Sequence, residues 1–231
     1  MSYLFPNQKK YSHLFKGKRK IEDMIFNFIS NEQQFKKKYN FKLINDKSIS
    51  LKEMGSNLVS IDLICFLIRL FKPNSILEIG SFIGRSSISF SKNSSKQSLI
   101  YTIEKFDRVF KILEKNIKLN KLEKKIIPLH GDAKILLKTG ILKKKYFDFV
   151  FIDGDKENYL NYLKLIEKKI KKGCIIIIDD IFFHGDVLNR KQQSLKGKGV
   201  MKIYSYLKKK NNYEKLIIPI SNGIMIIRRI R

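Results

Sequence analysis

Two acidic groups follow two strongly apolar runs of the sequence. Asp153 comes directly after the run 147–152, and Asp179 and Asp180 come directly after the run 174–178. If the two runs are neighbouring strands, the three carboxylates meet at one edge of a sheet, where they cannot all stay ionised without a cation. Their oxygen atoms suit Mg²⁺ or Mn²⁺ better than zinc. The alternative interpretation is that each aspartate caps the helix that follows its strand.

A loop with two glycines follows an earlier apolar run, Ser75–Ile79. It contains Gly80 and Gly84, spaced as G-x-x-x-G, and Glu78 stands two residues before the first glycine. Glycine lets a backbone approach a ligand closely, and ligands of doubly wound sheets bind outside the carboxyl ends of the strands. The spacing differs from the G-x-G-x-x-G of dinucleotide-binding proteins, which argues against a bound pyrophosphate. A tight turn without a ligand is the alternative.

A further acid, Glu104, ends the next apolar run, 20 residues after Gly84. A ribose-binding carboxylate is expected at about this distance, because a carboxylate can accept hydrogen bonds from two vicinal hydroxyls. An exposed glutamate at a strand end is the alternative. Together the loop and the acid favour a nucleoside ligand without a pyrophosphate, which points to S-adenosylmethionine (SAM).

The elements that must position these residues are short apolar strands alternating with amphipathic helices. The strands are predicted at Ser75–Ile79, Ser98–Ile103, Lys125–Leu129, Phe147–Ile152 and Cys174–Ile178. The helices between them are predicted near Arg85–Ser91, Phe106–Leu119, Ala133–Leu137 and Glu157–Lys171. This alternation indicates an α/β fold with a doubly wound, mostly parallel sheet that is covered by helices on both faces.

The two ends of the chain differ from this pattern. A helix near Val200–Lys210 precedes two apolar runs, Lys215–Ile220 and Ile224–Arg229, and the Asn-Gly between these runs predicts a C-terminal antiparallel hairpin. At the other end, the apolar spacing predicts N-terminal helices at Ile21–Lys38 and Leu58–Phe71.

The composition is strongly basic. The 231 residues include 48 Lys and Arg against 21 Asp and Glu, a formal charge of +27. Such a charge favours nucleic-acid binding, but an excess of Ile, Asn, Phe and Lys is also what an AT-rich genome imposes on any protein. No apolar run reaches the ~20 residues of a membrane span, and no signal peptide is visible. We therefore expect a cytoplasmic protein without a membrane partner.

Taken together, these motifs resemble those of the class I, SAM-dependent and divalent-metal-dependent O-methyltransferases. That family includes catechol and caffeoyl-coenzyme A O-methyltransferases and their bacterial relatives. The matching segments are 78–84, Glu104, 131–133, 153–156 with Tyr159, 179–180 with His184 and Gly185, and 218–223. The resemblance covers residues 54–231, for which it implies a Rossmann-like methyltransferase domain. Residues 1–53 are expected to form an N-terminal helical extension.

The resemblance implies a role for each matching residue. The cofactor-binding residues would be Glu78, Gly80, Ser81, Phe82, Gly84, Ser86, Glu104, Asp132, Ala133 and Asp153, with Glu104 on the ribose and the 132–133 pair on the adenine. Asp153, Asp179 and Asp180 would coordinate Mg²⁺ or Mn²⁺, and Lys156 would be the general base. The family usually has asparagine at the last metal position, so Asp180 adds a negative charge that could change the metal preference.

The implied reaction is methyl transfer to a metal-chelated hydroxyl of a small catechol-like phenol. The alternative acceptor is 5-hydroxyuridine at the wobble position of tRNA, where O4 and the 5-hydroxyl form a similar chelating pair. Basic segments gathered around the acidic residues would favour tRNA, whereas evenly spread lysines would reflect genome composition. These segments are Lys16–Lys20, Lys36–Lys38, Lys143–Lys145, Arg190–Lys198 and Lys208–Lys210.

Two other classes of function stay open. One is a non-catalytic nucleic-acid-binding protein on a decayed methyltransferase fold, against which the intact acids and Lys156 argue. The other is an NAD-dependent dehydrogenase, against which the glycine spacing argues. The oligomeric state is also open, since the helix at Ile21–Lys38 could pack against a partner subunit, as in a homodimer, or against the chain's own core.

Overall fold

The apolar runs of the sequence form the strands of a mixed sheet in the computed structural model of the chain, which describes residues 28, 42–44, 57–143 and 145–231. In these residues the strands are β1 (Ser75–Ile79), β2 (Leu99–Glu104), β3 (Ile126–His130), β4 (Phe147–Ile152), β5 (Ile170–Ile178), β6 (Tyr213–Ile218) and β7 (Ile224–Arg229). The helices are α1 (Leu58–Phe71), α2 (Arg85–Asn93), α3 (Asp107–Leu119), α4 (Ala133–Leu136), α5 (Tyr159–Ile166) and α6 (Leu195–Lys208). Short 3₁₀ turns lie at Gly140–Leu142, Lys156–Asn158, Glu167–Lys169 and Phe183–Leu188.

The order of the strands across the sheet creates a crevice at its centre. The described strands lie in the order β3-β2-β1-β4-β5-β7-β6, in which β1 to β5 are parallel and β7 is antiparallel to both of its neighbours. The chain runs outward from β1 to β3 and then crosses to β4, so its direction of progress reverses between β1 and β4. The predicted α/β fold, with a mostly parallel sheet and a C-terminal antiparallel hairpin, is confirmed.

Both faces of the sheet are covered by helices. On one face, alternate strand residues such as Leu77, Val150 and Ile176 are fully buried in one apolar cluster with residues of α5 and α6. On the other face, the Phe151 ring meets the Phe90 ring of α2 edge to face, with 5.5 Å between the ring centroids. This two-sided burial explains why the strands read as continuous apolar runs.

The helix α1 has the bounds that the sequence predicts, because both of its ends are capped. The Oδ1 of Asn57 accepts a hydrogen bond from the Val59 amide at 2.8 Å, which satisfies one of the free amides at the start of a helix. At the other end, Lys72 adopts a left-handed conformation with φ 47°, and its amide donates to the carbonyl of Ile68. Pro73 follows and prevents the helix from continuing.

Several other bounds differ from those predicted. The prediction started β5 at Cys174, whereas the strand begins at Ile170, whose carbonyl accepts a hydrogen bond from the Arg229 guanidinium at 2.8 Å. The prediction started the last helix at Val200, whereas α6 begins five residues earlier because Ser194 caps it. The Ser194 hydroxyl accepts a hydrogen bond from the Gly197 amide at 2.9 Å. The predicted helix at 157–171 is α5, flanked by 3₁₀ turns on both sides.

The N-terminal predictions fall largely outside the described residues. Apart from Phe28, the predicted helix at Ile21–Lys38 lies outside them, as does the predicted domain boundary after residue 53. Residues 42–44 are described and pack beside the loop that follows β1: the Ile44 amide donates to Oδ1 of Asn116 at 2.6 Å, and Nδ2 of Asn116 donates to the carbonyl of Ile83 at 2.9 Å. Within the described residues, no helix is both long enough and apolar enough to cross a bilayer.

Replacing the buried Phe151 with alanine tests the packing of the sheet against α2. We expect Phe151→Ala to lower the free energy of unfolding by about 3–5 kcal/mol, because it leaves a cavity beside Phe90. Urea unfolding followed by circular dichroism measures this change. The matched control is Phe66→Ala, since Phe66 is 56% exposed on α1. Similar losses in the two variants would contradict the packing described.

Candidate active site

A cavity of about 840 Å³ lies at the carboxyl ends of the central strands, where the strand order reverses. Its walls come from the segments after β1, β2, β3, β4 and β5, from the starts of α1 and α6, and from the turn between β6 and β7. The predicted site residues that line it are Gly80, Ser81, Phe82, Ser86, Glu104, Ala133, Asp153, Lys156, Asp179 and Asp180. Glu78, Gly84 and Asp132 lie close in sequence to lining residues but are not themselves part of the wall.

The loop after β1 requires glycine at its first position. Gly80 has φ +92°, and a Cβ atom there would lie 2.3 Å from the carbonyl oxygen of Asp153 on the neighbouring strand. No side chain fits in that space without moving the backbone. The amides of Gly80 and Ser81 both donate to the carbonyl of Ile103, at 3.0 and 3.2 Å. The loop is therefore held between the ends of β2 and β4 in a fixed shape.

Glu78 supports this loop from beneath the wall of the cavity. Its side chain is fully buried, and Oε2 accepts hydrogen bonds from the hydroxyls of Ser87 and, at 2.5 Å, Thr102. Burial raises the pKa of Glu78 to about 7, although the surrounding hydroxyls oppose the shift. The sequence resemblance implies that Glu78 holds the cofactor. In the structure its side chain lies on the α2 side of the sheet, where it contacts the helix that follows the loop.

Glu104 lies where the sequence predicts, at the end of β2 and on the wall of the cavity. Its Oε2 accepts a hydrogen bond from the Phe82 amide and its Oε1 one from the Phe106 amide, both at 2.9 Å. Burial raises the pKa of this carboxyl, and the two amide hydrogen bonds oppose that rise. Each carboxylate oxygen has a second lone pair, so Glu104 can still accept hydrogen bonds from a ligand.

The segment after β3 contributes backbone and a small side chain rather than an acid. Gly131 and Ala133 line the cavity. Asp132 between them caps α4 instead, because its Oδ1 accepts a hydrogen bond from the Lys134 amide at 2.7 Å. The part of the predicted adenine site that the structure places at the cavity is therefore Ala133, next to Gly131.

Two of the three predicted metal ligands, Asp153 and Asp180, form ion pairs with Lys156. The ammonium of Lys156 lies 2.9 Å from Oδ1 of Asp153 and 2.8 Å from Oδ2 of Asp180, so it bridges the ends of β4 and β5. Asp179 is buried beside them, and its Oδ1 accepts a hydrogen bond from the Asp180 amide at 2.9 Å. The hydroxyl of Tyr159 donates to the carbonyl of Asp179 at 3.1 Å and helps to fix this turn.

The charges of this cluster do not cancel. Burial, and then the carboxylates of Asp153 and Asp180, raise the pKa of Asp179 well above its usual value. Burial lowers the pKa of Lys156, but the neighbouring carboxylates outweigh it, and the net shift is upward. Three carboxylates face one ammonium, so Lys156 is held in its charged form and a negative charge is left over.

The turn after β5 and the turn between β6 and β7 are hydrogen-bonded to each other and form another part of the cavity wall. The Ile181 amide donates to the carbonyl of Gly223 at 3.1 Å, and the Phe182 amide donates to the carbonyl of Asn222 at 2.7 Å. A Cβ atom on Gly223 would lie 2.4 Å from the Phe182 ring, so the hairpin turn must have glycine at this position. The contact places Asn222 in the wall beside Phe183.

Comparison with known proteins identifies the family to which the chain belongs. A family model described as O-methyltransferase matches residues 29–230, which is most of the chain. The chain belongs to the O-methyltransferase family. The family match confirms both the sequence resemblance and the predicted class of enzyme. Caffeoyl-CoA O-methyltransferase 2 of Petunia hybrida is 29% identical to this O-methyltransferase over 177 residues, which cover 71% of this chain and 72% of that protein.

Solved structures share the fold at lower sequence identity. TomG from Streptomyces achromogenes, an O-methyltransferase involved in tomaymycin synthesis and solved in complex with SAM, superposes with a TM-score of 0.78 and 19% identity over 90% of this chain and 96% of its own. An O-methyltransferase from Bacillus cereus, solved in complex with SAH, superposes with a TM-score of 0.76 and 19% identity over 89% of this chain and 97% of its own.

Some lining residues of this O-methyltransferase were not singled out from its sequence. Asn57, Lys105 and Phe183 reach the cavity from the start of α1, from the loop after β2 and from the turn after β5. Lys105 and Phe183 come shortly after predicted site acids, but their own residue types give no sign of a role at a site. Only their position at the carboxyl edge of the sheet brings them to the site, and that position requires the strand order.

The buried Glu78 predicts a pH dependence of stability. Its pKa of about 7 in the folded chain exceeds the ordinary 4.5, so the unfolded chain loses this proton first as the pH rises. The free energy of unfolding therefore falls as the pH rises from about 4.5 to 7, and it stays lower above pH 7. Glutamine cannot ionise, so Glu78→Gln should gain about 3 kcal/mol relative to the wild type across this range.

Urea unfolding at pH 4.5 and pH 7.5 measures that difference. Glu114→Gln is the matched control, because Glu114 lies exposed on α3. A wild-type pH profile that Glu78→Gln leaves unchanged would contradict the buried position of this carboxyl.

Proposed function

We propose that this O-methyltransferase transfers the methyl group of SAM to a hydroxyl of a small phenol with two adjacent oxygens. One observation carries the proposal. The ammonium of Lys156, held by Asp153 and Asp180, shares a cavity with the glycine loop after β1 and with Glu104. A group that can move a proton and a loop suited to a nucleoside thus face the same space.

The residues of the first loop fit SAM. The Ser81 hydroxyl lines the cavity, is buried and has no hydrogen-bond partner within the described residues, so it is available to a ligand. Gly80 brings backbone to the wall where a side chain would clash, and Glu104 offers free lone pairs for ribose hydroxyls. The SAM and SAH in the two solved relatives support this cofactor.

The donor chemistry at the ends of β4 and β5 fits a divalent cation. Asp153, Asp179 and Asp180 oppose one ammonium, and the excess negative charge suits a hard metal ion with oxygen ligands. Such an ion, when bound, lowers the pKa of an acceptor hydroxyl. Within the described residues, no three acidic, histidine or cysteine side chains are grouped as a metal site, and Lys156 pairs with two of the three acids. A cation held by these acids would therefore take at least one carboxylate from Lys156.

This exchange sets the role of Lys156. Its present partners hold it as an ammonium, which cannot accept a proton. A divalent cation held by Asp153 and Asp180 would remove the stabilisation that these carboxylates give to the Lys156 ammonium and so would lower the pKa of this group. In its neutral form the amine of Lys156 could take the proton of the acceptor hydroxyl.

The transfer itself needs little further chemistry from the chain. A lone pair of the deprotonated acceptor oxygen attacks the methyl carbon, the O–C bond forms as the C–S bond breaks, and the electron pair of that bond stays on sulfur. The acceptor proton ends on Nζ of Lys156. The chain contributes mainly by holding oxygen and methyl carbon in line, since such positioning can supply several kcal/mol of the barrier.

A small acceptor is favoured over tRNA by the positions of two basic segments. Lys143 and Lys145 precede β4. Lys208–Lys210 lie at the end of α6, whose Tyr206 hydroxyl donates at 2.7 Å to Glu167 just before β5. Both segments thus lie at the amino ends of the strands, away from the cavity. Lys16–Lys20 and Lys36–Lys38 lie outside the described residues.

One observation favours tRNA as a second candidate acceptor. The Arg190–Lys198 segment is adjacent to the cavity through Lys196, and all of its basic residues, Lys196 included, are exposed. Incubation with methyl-labelled SAM and either a catechol panel or undermodified tRNA separates the two candidates. Label in the phenols supports the first, and label in tRNA alone would replace it.

Removing the amine of Lys156 tests the proposed proton transfer. We expect Lys156→Met to lower the rate of methyl transfer to catechol at least about 100-fold, because general-base catalysis of this kind contributes that much or more. The matched control is Lys168→Met, an exposed lysine before β5, which should keep full activity. Circular dichroism establishes that both variants fold. Full activity of folded Lys156→Met would exclude Lys156 as the base.

Removing metal ions separates the cofactor site from the metal site. With excess chelator we expect methyl transfer to fall at least about 100-fold, while SAH still binds with nearly unchanged affinity in titration calorimetry. Adding Mg²⁺ or Mn²⁺ should restore the transfer. Undiminished transfer in chelator would contradict the assignment of Asp153, Asp179 and Asp180 as metal ligands.

A further inference from the structure

The turn after β5 and the start of α6 form the side of the cavity that we call the acceptor side. This side carries a positive charge that forms no ion pair with an acid of the described residues. Lys196, near the start of α6, lines the cavity. Its contact is with the ring of Phe183, whose centroid lies 5.9 Å from the ammonium, and it makes no ion pair within the described residues. Lys196 is exposed at the edge of the cavity, and without an ion-pair partner its ammonium is available to a ligand.

The packing of α6 places Lys196 on the side of the helix that meets the reaction centre. A Cβ atom on Gly199 would lie 2.4 Å from the carbonyl oxygen of Lys156 and 2.6 Å from the Cα of Glu157. The helix therefore packs directly on the turn that carries the proposed base. Lys196 precedes Gly199 by three residues and so lies on the same face of α6.

One acid beside the start of α6, Asp186, and one acid of the cavity wall, Asp180, are already engaged. Asp186 accepts hydrogen bonds from the Ser194 hydroxyl at 2.6 Å, from the amides of Ser194 and Gln193 at 3.0 and 2.8 Å, and from Asn189. It thus caps the start of α6 rather than pairing with the lysine. Asp180 is held by the ammonium of Lys156.

Acids elsewhere on the wall have other partners as well. Asp155 accepts hydrogen bonds from the Glu157 amide and from the Asn158 side chain, and Glu104 binds the two loop amides described above. Two other cations on the wall, Arg85 and Lys105, come from the loops after β1 and β2, on the proposed cofactor side. The charge of Lys196 is therefore presented on the acceptor side.

We propose that Lys196 selects acceptors that carry an anionic group on the ring that bears the two adjacent oxygens. The acceptor class is thus an ortho-dihydroxy aromatic acid rather than a neutral catechol. Phe183, which contacts Lys196, supplies an aromatic surface for the ring, and the ammonium binds the carboxylate. This inference rests on the proposed methyl transfer and names the class of its substrate.

The test compares matched acceptors that differ only in charge. The probes are 3,4-dihydroxybenzoate and 3,4-dihydroxycinnamate, each beside its methyl ester, with catechol as the uncharged reference. The measured quantity is the ratio of kcat/KM for the acid to kcat/KM for its ester. We expect this ratio to fall about tenfold in Lys196→Met, which keeps the apolar stem against Phe183 but removes the charge.

Lys198→Met is the matched control, because Lys198 lies exposed two residues further along the same helix and does not line the cavity. It should keep the wild-type ratio for both pairs. An unchanged ratio in Lys196→Met, or an equal fall in Lys198→Met, would overturn the role of Lys196 while leaving the proposed methyl transfer intact, as transfer to catechol would show. Transfer to none of the phenols, with or without label in tRNA, would overturn both.

Discussion

The mismatch between three carboxylates and one ammonium is the constraint on which the site depends. The register of the sheet pairs Ile79 with Ile152 and Ile152 with Ile178. The next residue on each strand, Gly80, Asp153 or Asp179, therefore emerges at the same level. Parallel strands bring these carboxyl ends together at no extra cost, but the concentrated charge must then be balanced by Lys156 or by a bound cation. The strand order thus creates a local negative charge that another group, Lys156 or a bound cation, must neutralise.

Much of this arrangement follows from local sequence signals. The parallel strands are runs of Ile, Phe and Val because helices bury them on both faces, so their positions could be predicted to within a few residues. The Asn-Gly of the hairpin and the Pro73 after α1 fixed two further boundaries by turn and helix chemistry. The acidic edge was also predictable, since Asp153 and the 179–180 pair directly follow two such runs.

The remaining features depend on contacts between distant segments. Glu78 alternates with its neighbours on β1 and so points to the α2 face, where hydroxyls of Ser87 and Thr102 receive it. No local pattern distinguishes Lys196 from the other lysines of a basic chain, because its position follows from the packing of α6 on the turn that carries Lys156. The net charge of +27 was likewise uninformative until the strand order showed which lysines lie near the cavity.

The position of β7 between β5 and β6 has a consequence for biosynthesis. The turn before β7 supplies the carbonyls of Asn222 and Gly223 that hold the Ile181–Phe182 backbone. A ribosome makes the glycine loop and the acidic edge well before it makes this turn. A nascent chain can therefore have its proposed cofactor loop in place while the proposed acceptor wall is still missing. The wall of the cavity is complete only once the hairpin turn has left the ribosome.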